Sequence, residues 1–254
     1  MDKRTLYAGL MVGLLLLAVL GLFVDLWIHF DTYQRDLRTY YYAGRAFAAG
    51  LDPYDLGVLS NLASTPLALP FLYPPAVLPL FRLLSSLEFS TAYYLFLGLK
   101  IAVLILLLGC WKKDFLPEMG FAFLVFSLLA FNAAIYVDLR VGNISLVEQG
   151  LIWLSFSFLL RKRVLLYCLM ILLAASFKLM PLLFLALLLL NEDKRRFIYL
   201  AGSLLLFLSV QALSFLLAPN LFRAFLNGLG GLDERGVVNP STMAMLRDLL
   251  DLYE

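Results

Sequence analysis

Residues 164–190 read VLLYCLMILLAASFKLMPLLFLALLLL, and how this stretch is divided decides the fold. A membrane-spanning helix takes roughly 20 apolar residues, so the run could cross a bilayer once. Lys178 and Pro181 argue otherwise. Proline removes a backbone donor and clashes with the preceding turn, and a lysine at membrane depth costs roughly 3 kcal/mol unless it faces a polar cavity or a partner. The stretch therefore reads as two short helical halves, of about 14 and 10 residues, that meet near Lys178. Flanking charge supports this division. Arg161, Lys162 and Arg163 precede the stretch, and Lys194, Arg195 and Arg196 follow it. Basic residues in short loops collect on the cytoplasmic side. A hairpin returns the chain to that side, whereas a single crossing would strand the second cluster outside.

Working outward, apolar runs at 6–24, 89–110, 116–136, 144–160 and 197–217 each approach the length of a span. With Lys3 and Arg4 inside, the basic clusters at 112–113, 161–163 and 194–196 all fall inside as well. The segment 74–87 opens on Pro74-Pro75 and carries Pro79 and Arg82, which makes it too short and too broken to cross alone. It reads as re-entrant or interfacial. The expected fold is an all-α, polytopic membrane helical bundle of about seven crossings plus that re-entrant piece. Residues 1–254 form a single transmembrane domain, and an external loop 25–73 carries a juxtamembrane helix near 36–49. The whole chain is 63% hydrophobic with mean hydropathy +0.89. That is more apolar surface than a water-soluble core can hide. The first span lacks a small-residue cleavage site before Asp25, so it is expected to stay as an anchor in the cell membrane with its N-terminus cytoplasmic. Residues 243–252 resemble the start of another amphipathic helix, and the bundle is expected to be truncated at Glu254.

Several chemistries drop out. His29 is the only histidine, so a histidine dyad or two-histidine metal site is excluded. Cys110 and Cys168 lie in apolar runs without pairing or ligand spacing. No glycine-rich phosphate loop is present. The net charge of +2 gives no basis for a nucleic-acid partner. No cofactor is firmly implied, and a divalent metal is left open.

The unusual residues gather on the expected outer face. Helical spacing sets Asp36, Tyr40 and Ala43 along one side, with Gly50 placed to end the helix. The tyrosines suit a headgroup-level anchor. Asp36 suits a general base or a cation ligand, against the plain alternative of a solvated carboxylate at a helix N-terminus. Lys178 at the break suits a phosphate, against snorkelling to the headgroups. Arg140 and Gly142 read as an anion-binding corner with room for a ligand at the backbone. Asn143 or Ser145 would cap the next helix. Lys100 and Glu148 are expected to pair with each other inside the bundle.

Taken in order, Asp36-x3-Tyr40 with Ala43, Ala46, Gly50 and Tyr54, then Phe71-x-Tyr73-Pro74-Pro75, Arg140-x-Gly142-Asn143, Lys178-x-x-Pro181 and Asn239-Pro240-Ser241 resemble the motifs of glycosyltransferase family 87. These are GT-C type membrane enzymes, similar to polyprenyl-phosphate-mannose-dependent mannosyltransferases of bacterial envelope lipids. The resemblance covers about residues 36 to 241. It implies an inverting transfer on the non-cytoplasmic face, with Asp36 as base and with a polyprenyl-phosphate sugar donor, a lipid or glycan acceptor and membrane lipids as partners. Substrate contacts would come from Tyr40, Arg45, Tyr54, Tyr73, Arg140, Asn143, Lys178 and Asn239. The sequence departs from the family at Asn143, where glutamine is more usual, and in its shorter length. A transporter or flippase that binds an anionic lipid or solute at 178–181 is the alternative, although no repeated halves are visible. A non-catalytic scaffold is a third reading.

The topology is testable by cysteine labelling with a reagent that cannot cross the membrane. A cysteine at Thr32 should react from outside and one at Asn191 should not; equal labelling would contradict the assignment.

Overall fold

The structure, a computed structural model, describes residues 3–29, 32–120 and 132–230. All regular elements among these residues are helical. In chain order they are α1 (Lys3–Ile28), α2 (Arg35–Ala48), α3 (Leu56–Ala63), a 3₁₀ turn (Pro75–Val77) leading into α4 (Leu78–Ser85), and α5 (Phe89–Cys110), which ends in a π turn (Trp111–Phe115). Then follow α6 (Asn132–Val141), α7 (Ser145–Leu160), α8 (Val164–Ala175), a 3₁₀ helix (Met180–Leu190), α9 (Arg196–Leu217) and α10 (Pro219–Gly230).

Three helices, Gly9–Ile28, Phe89–Phe115 and Arg196–Leu217, are long and apolar enough to cross a membrane. Leucines stand exposed around α1 and α9, among them Leu14, Leu17, Leu205, Leu208 and Leu216. A helix that is apolar on every side needs lipid around it. The remaining expected crossings are shorter. At 1.5 Å per residue the 16 residues of α7 reach about 24 Å, and the 12 residues of α8 about 18 Å. The 11 residues from Met180 to Leu190 are wound as 3₁₀ helix at about 2.0 Å per residue, so they reach about 22 Å. Tighter winding lengthens a segment that would be too short as α-helix. Most of the expected span 116–136 lies outside the described residues.

The break near Lys178 is present: α8 stops at Ala175 and the 3₁₀ helix starts at Met180. The two halves lie side by side, sharing a core of Val164, Tyr167, Ile171, Leu185 and Leu188, and the Tyr167 hydroxyl donates to the carbonyl of Phe184. Up-and-down packing gives the molecule two ends. At one end lie the basic turns, where Arg161 pairs with Asp114 at 2.7 Å and Arg196 donates to the carbonyls of Leu189 and Asn191. That second contact satisfies carbonyls left open where the 3₁₀ helix ends. The opposite end carries α2, α4, the 176–179 break and the start of α7.

This end is organised by α2. Its N-terminus docks on the C-terminus of α6: Gln34 donates its backbone N–H to Arg140 O (2.8 Å) and its side-chain amide to the carbonyls of Leu139 (2.9 Å) and Arg140 (3.1 Å). Gly142 makes the approach possible. Its φ is +71°, and a Cβ there would stand 2.5 Å from Gln34 Oε1 and 2.7 Å from Leu37 Cβ. The sequence pattern assigned that space to a ligand, but α2 itself occupies it. On its far side α2 crosses α4 at Gly44, where a Cβ would lie 2.2 Å from the Phe81 carbonyl oxygen. The segment 74–87 is thus the short 3₁₀ turn and α4, packed on α2, with a core of Leu37, Tyr40, Phe71, Leu78, Phe81 and Tyr93 beneath it.

Gly44→Ala must push the α2 and α4 backbones apart, at a cost of about 1–3 kcal/mol. It should lower the thermal midpoint of the purified protein by several degrees, while Gly98→Ala, with nothing within 4 Å, should not.

Candidate active site

Where α2, the strap 64–74, the start of α7 and the 176–179 break converge, they enclose a cavity of about 340 Å³. Its wall includes Asp36, Tyr40, Tyr73, Asn143, Phe177 and Lys178. Five residues drawn from four separate sequence motifs, Asp36, Tyr40, Tyr73, Asn143 and Lys178, are therefore brought together.

Asp36 is held by a residue 107 positions away. Asn143 Nδ2 donates to Asp36 Oδ2 at 2.5 Å. The orientation of that amide is fixed from behind, because Asn143 Oδ1 accepts from the Ser145 N–H (2.9 Å) and the Ser145 hydroxyl (2.7 Å). A backbone N–H can only donate, so the oxygen faces Ser145 and the NH₂ faces Asp36. Ser145 Oγ in turn accepts from Lys178 Nζ at 2.6 Å, and Lys178 pairs with buried Glu148 at 3.2 Å. An unbroken polar chain runs from Glu148 through Lys178, Ser145 and Asn143 to Asp36. It leaves two valences unused. Lys178 has three N–H donors, of which this chain engages two. Asp36 is 7% exposed, and its Oδ1 has no hydrogen-bond partner; the Arg35 Nε 3.4 Å away is not aligned as a donor.

The wall beside Asp36 is aromatic. Tyr40 and Tyr73 share a hydrogen bond of 2.8 Å between their hydroxyls and meet edge to face at 86°, and Tyr73 meets Phe177 at 77°. Burial pushes the Tyr73 phenol up to about 12 and raises that of Tyr40 as well. Both therefore stay protonated at neutral pH. Thr39 fastens the strap through its hydroxyl to the Leu69 carbonyl (3.1 Å).

Other expected contacts lie elsewhere. Tyr54 stands behind the wall, its hydroxyl donating to the Tyr73 carbonyl at 2.9 Å, so it supports the cavity without lining it. Arg140 points outward, its guanidinium 4.1 Å from the centre of the Tyr33 ring, where a cation–π contact holds it away from Asp36. Arg45 follows Asp36 by nine residues, a rotation of about 180° around α2, and it lines a separate cavity with Arg82. Asn239 lies outside the described residues. Lys100 and Glu148 do not pair with each other. Lys100, 1% exposed, lies 2.5 Å from Asp138 Oδ1, and Glu148 pairs with Lys178. Asp138 Oδ2 also accepts the N–H of Leu146 at 3.2 Å. The first turn of α7 is thus capped by a carboxylate from α6 together with Asn143. Ser145 had signalled only a cap, and the Asn143-x-Ser145 spacing of an Asx turn was the sign that its hydroxyl belongs to the site.

Residues 71–253 match the family model of glycosyltransferase family 87. The chain belongs to glycosyltransferase family 87. This glycosyltransferase matches no curated protein and no solved structure. The family match takes in Tyr73, Asn143 and Lys178, and it begins after α2 and Asp36. Among the described residues of this family 87 enzyme, no group of three or more histidine, cysteine or acidic side chains is placed to hold a metal ion.

Ser145→Ala cuts the polar chain between Lys178 and Asn143 and leaves the amide held from behind only by the backbone N–H of residue 145. Transfer turnover should fall about tenfold or more with little change in thermal midpoint. Ser145→Thr keeps the hydroxyl and should recover most of that loss; equal loss in both variants would deny the chain its role.

Proposed function

We propose that this family 87 glycosyltransferase moves a sugar, mannose by its family resemblance, from a polyprenyl-phosphate donor to a lipid or glycan acceptor, and that the transfer takes place in the Asp36 cavity. One observation carries the reading: a buried carboxylate with an oxygen that accepts no hydrogen bond shares a cavity with an ammonium that retains a free donor, and the two are not paired with each other. A base and a phosphate-binding cation must stand apart if a sugar is to sit between them.

The acceptor hydroxyl gives its proton to Asp36 Oδ1 while its oxygen attacks the anomeric carbon. The bond from that carbon to the phosphate oxygen breaks, and its electron pair leaves with the polyprenyl phosphate. Negative charge grows on the phosphate, and the free N–H of Lys178 is positioned to bind it. Attack from the side opposite the departing phosphate inverts the anomeric centre. Glu148 and Ser145 hold the ammonium in place, so little reorganisation is needed as charge develops. Tyr40, Tyr73 and Phe177 offer ring faces and edges to the apolar side of a sugar. The basic turns all lie at the far end of the molecule, and basic loops prefer the cytoplasm. This supports an external, non-cytoplasmic cavity in a multi-pass protein of the cell membrane.

Asp36→Asn keeps the size of the side chain and one acceptor oxygen but removes the base. Release of polyprenyl phosphate from polyprenyl-phosphate mannose by purified enzyme should fall roughly 100-fold or more, with donor affinity retained. Near-normal turnover would overturn the role of Asp36. Lys178→Met keeps most of the stem and should instead weaken donor binding, read as a raised donor KM.

A further inference from the structure

A second cavity, of about 470 Å³, opens on the opposite face of α2. Ala48 and Ala49 line it, and Arg45, Arg82, Ser85 and Ser86 surround it. The close crossing at Gly44 creates this arrangement. The Gly44 Cβ position lies 2.2 Å from the Phe81 carbonyl and 2.8 Å from Ser85 Oγ, and the next residue on each helix, Arg45 and Arg82, lines the same cavity. The alanines then leave room between them. Both arginines are exposed, and among the described residues neither guanidinium has a carboxylate partner or a hydrogen bond. Each sits in the last turn of its helix, where a cation is favourable, yet that effect does not require the two to face one cavity.

The surroundings suit a cavity at the membrane surface. Leu80 and Leu83, two residues before and one after Arg82, are exposed, as apolar side chains facing lipid would be. Arg38, seven residues before Arg45 and on the same side of α2, lies 4.8 Å from the ring centre of Phe89. Phe89 is the first residue of the spanning helix α5. The Arg38–Phe89 contact ties this side of α2 to the end of the α5 span, next to where headgroups would lie. Guanidinium groups bind phosphate oxygens through paired N–H donors, and two unpaired positive charges favour an anionic headgroup over one that carries its own cation.

We propose that the Arg45–Arg82 cavity binds the phosphate of an anionic membrane lipid headgroup, as a site separate from the transfer cavity. Two paired guanidinium contacts hold the non-bridging phosphate oxygens, and the acyl chains run down past Leu80 and Leu83. The site stands or falls independently of the roles of Asp36 and Lys178.

The test is native mass spectrometry of the full chain in detergent, titrated with phosphatidylglycerol, phosphatidylcholine or inorganic phosphate. Phosphatidylglycerol should be retained in preference to phosphatidylcholine, and R45Q/R82Q should weaken it at least about tenfold. Both side chains are exposed, so the double variant should keep its helical circular dichroism. K112Q/K113Q removes the same charge at the other end of the molecule and should bind like the parent. Unchanged phosphatidylglycerol binding in R45Q/R82Q, or an equal loss in K112Q/K113Q, overturns the proposal. Displacement of the lipid by equimolar inorganic phosphate overturns the lipid assignment in favour of a free-phosphate site.

Discussion

The Asn143 amide, gripping Asp36 with one end and Ser145 with the other, is the contact on which the arrangement of the cavity depends. It joins α2, from the first third of the chain, to the start of α7, and through Ser145 it reaches Lys178 at the break between α8 and the 3₁₀ helix. Every bond in this chain has only one workable polarity. The Ser145 N–H can only donate, the ammonium can only donate, and an ionised carboxylate can only accept. The direction of the amide follows from that. Asn143 reaches only Oδ2 of Asp36, and Oδ1 accepts no hydrogen bond.

A low-dielectric setting explains why these polar groups are tied together. Buried charge is costly unless it is paired and hydrogen-bonded, and lipid offers no water as a substitute. Lys100 is satisfied by the carboxylate and carbonyl of Asp138, and Asp138 in turn caps α7. Glu148 neutralises Lys178 without using all its donors. One ion pair thus supports the helix that presents Asn143, and the other holds the cation that faces the cavity. The buried ion pairs and the polar groups that line the cavity share the same end of the bundle, because the loops and helix breaks that can satisfy them are found there.

Much of this was legible in the sequence. The helix expected from Asp36 to Ala49, stopped by Gly50, is α2 with Gly50 at φ +70°. The break inferred from Lys178 and Pro181 lies where the two halves meet. These signals are local: helical spacing, a glycine, a proline and a charge out of place. Partners that depend on which helices become neighbours were not legible. Spacing indicates that Lys100 and Glu148 face inward, and it does not tell which carboxylate or amine each will meet. Arg140 illustrates the same limit, since its position depends on Tyr33 arriving from another segment. Arg45 is different, because a nine-residue offset already turns it away from Asp36. The 3₁₀ winding after Pro181 had no local signal. It follows from the length needed to return to the basic end with few residues.

The proposed transfer needs one cavity to hold both the base and the leaving phosphate. The most direct measurement is an electron cryo-microscopy structure of the enzyme with a non-hydrolysable polyprenyl-phosphate sugar analogue. The phosphate is expected on Lys178 Nζ and the anomeric carbon between it and Asp36, with Oδ1 open to an acceptor hydroxyl. Density for the analogue's phosphate at any other place, with the Asp36 cavity empty of sugar, would contradict the proposed transfer.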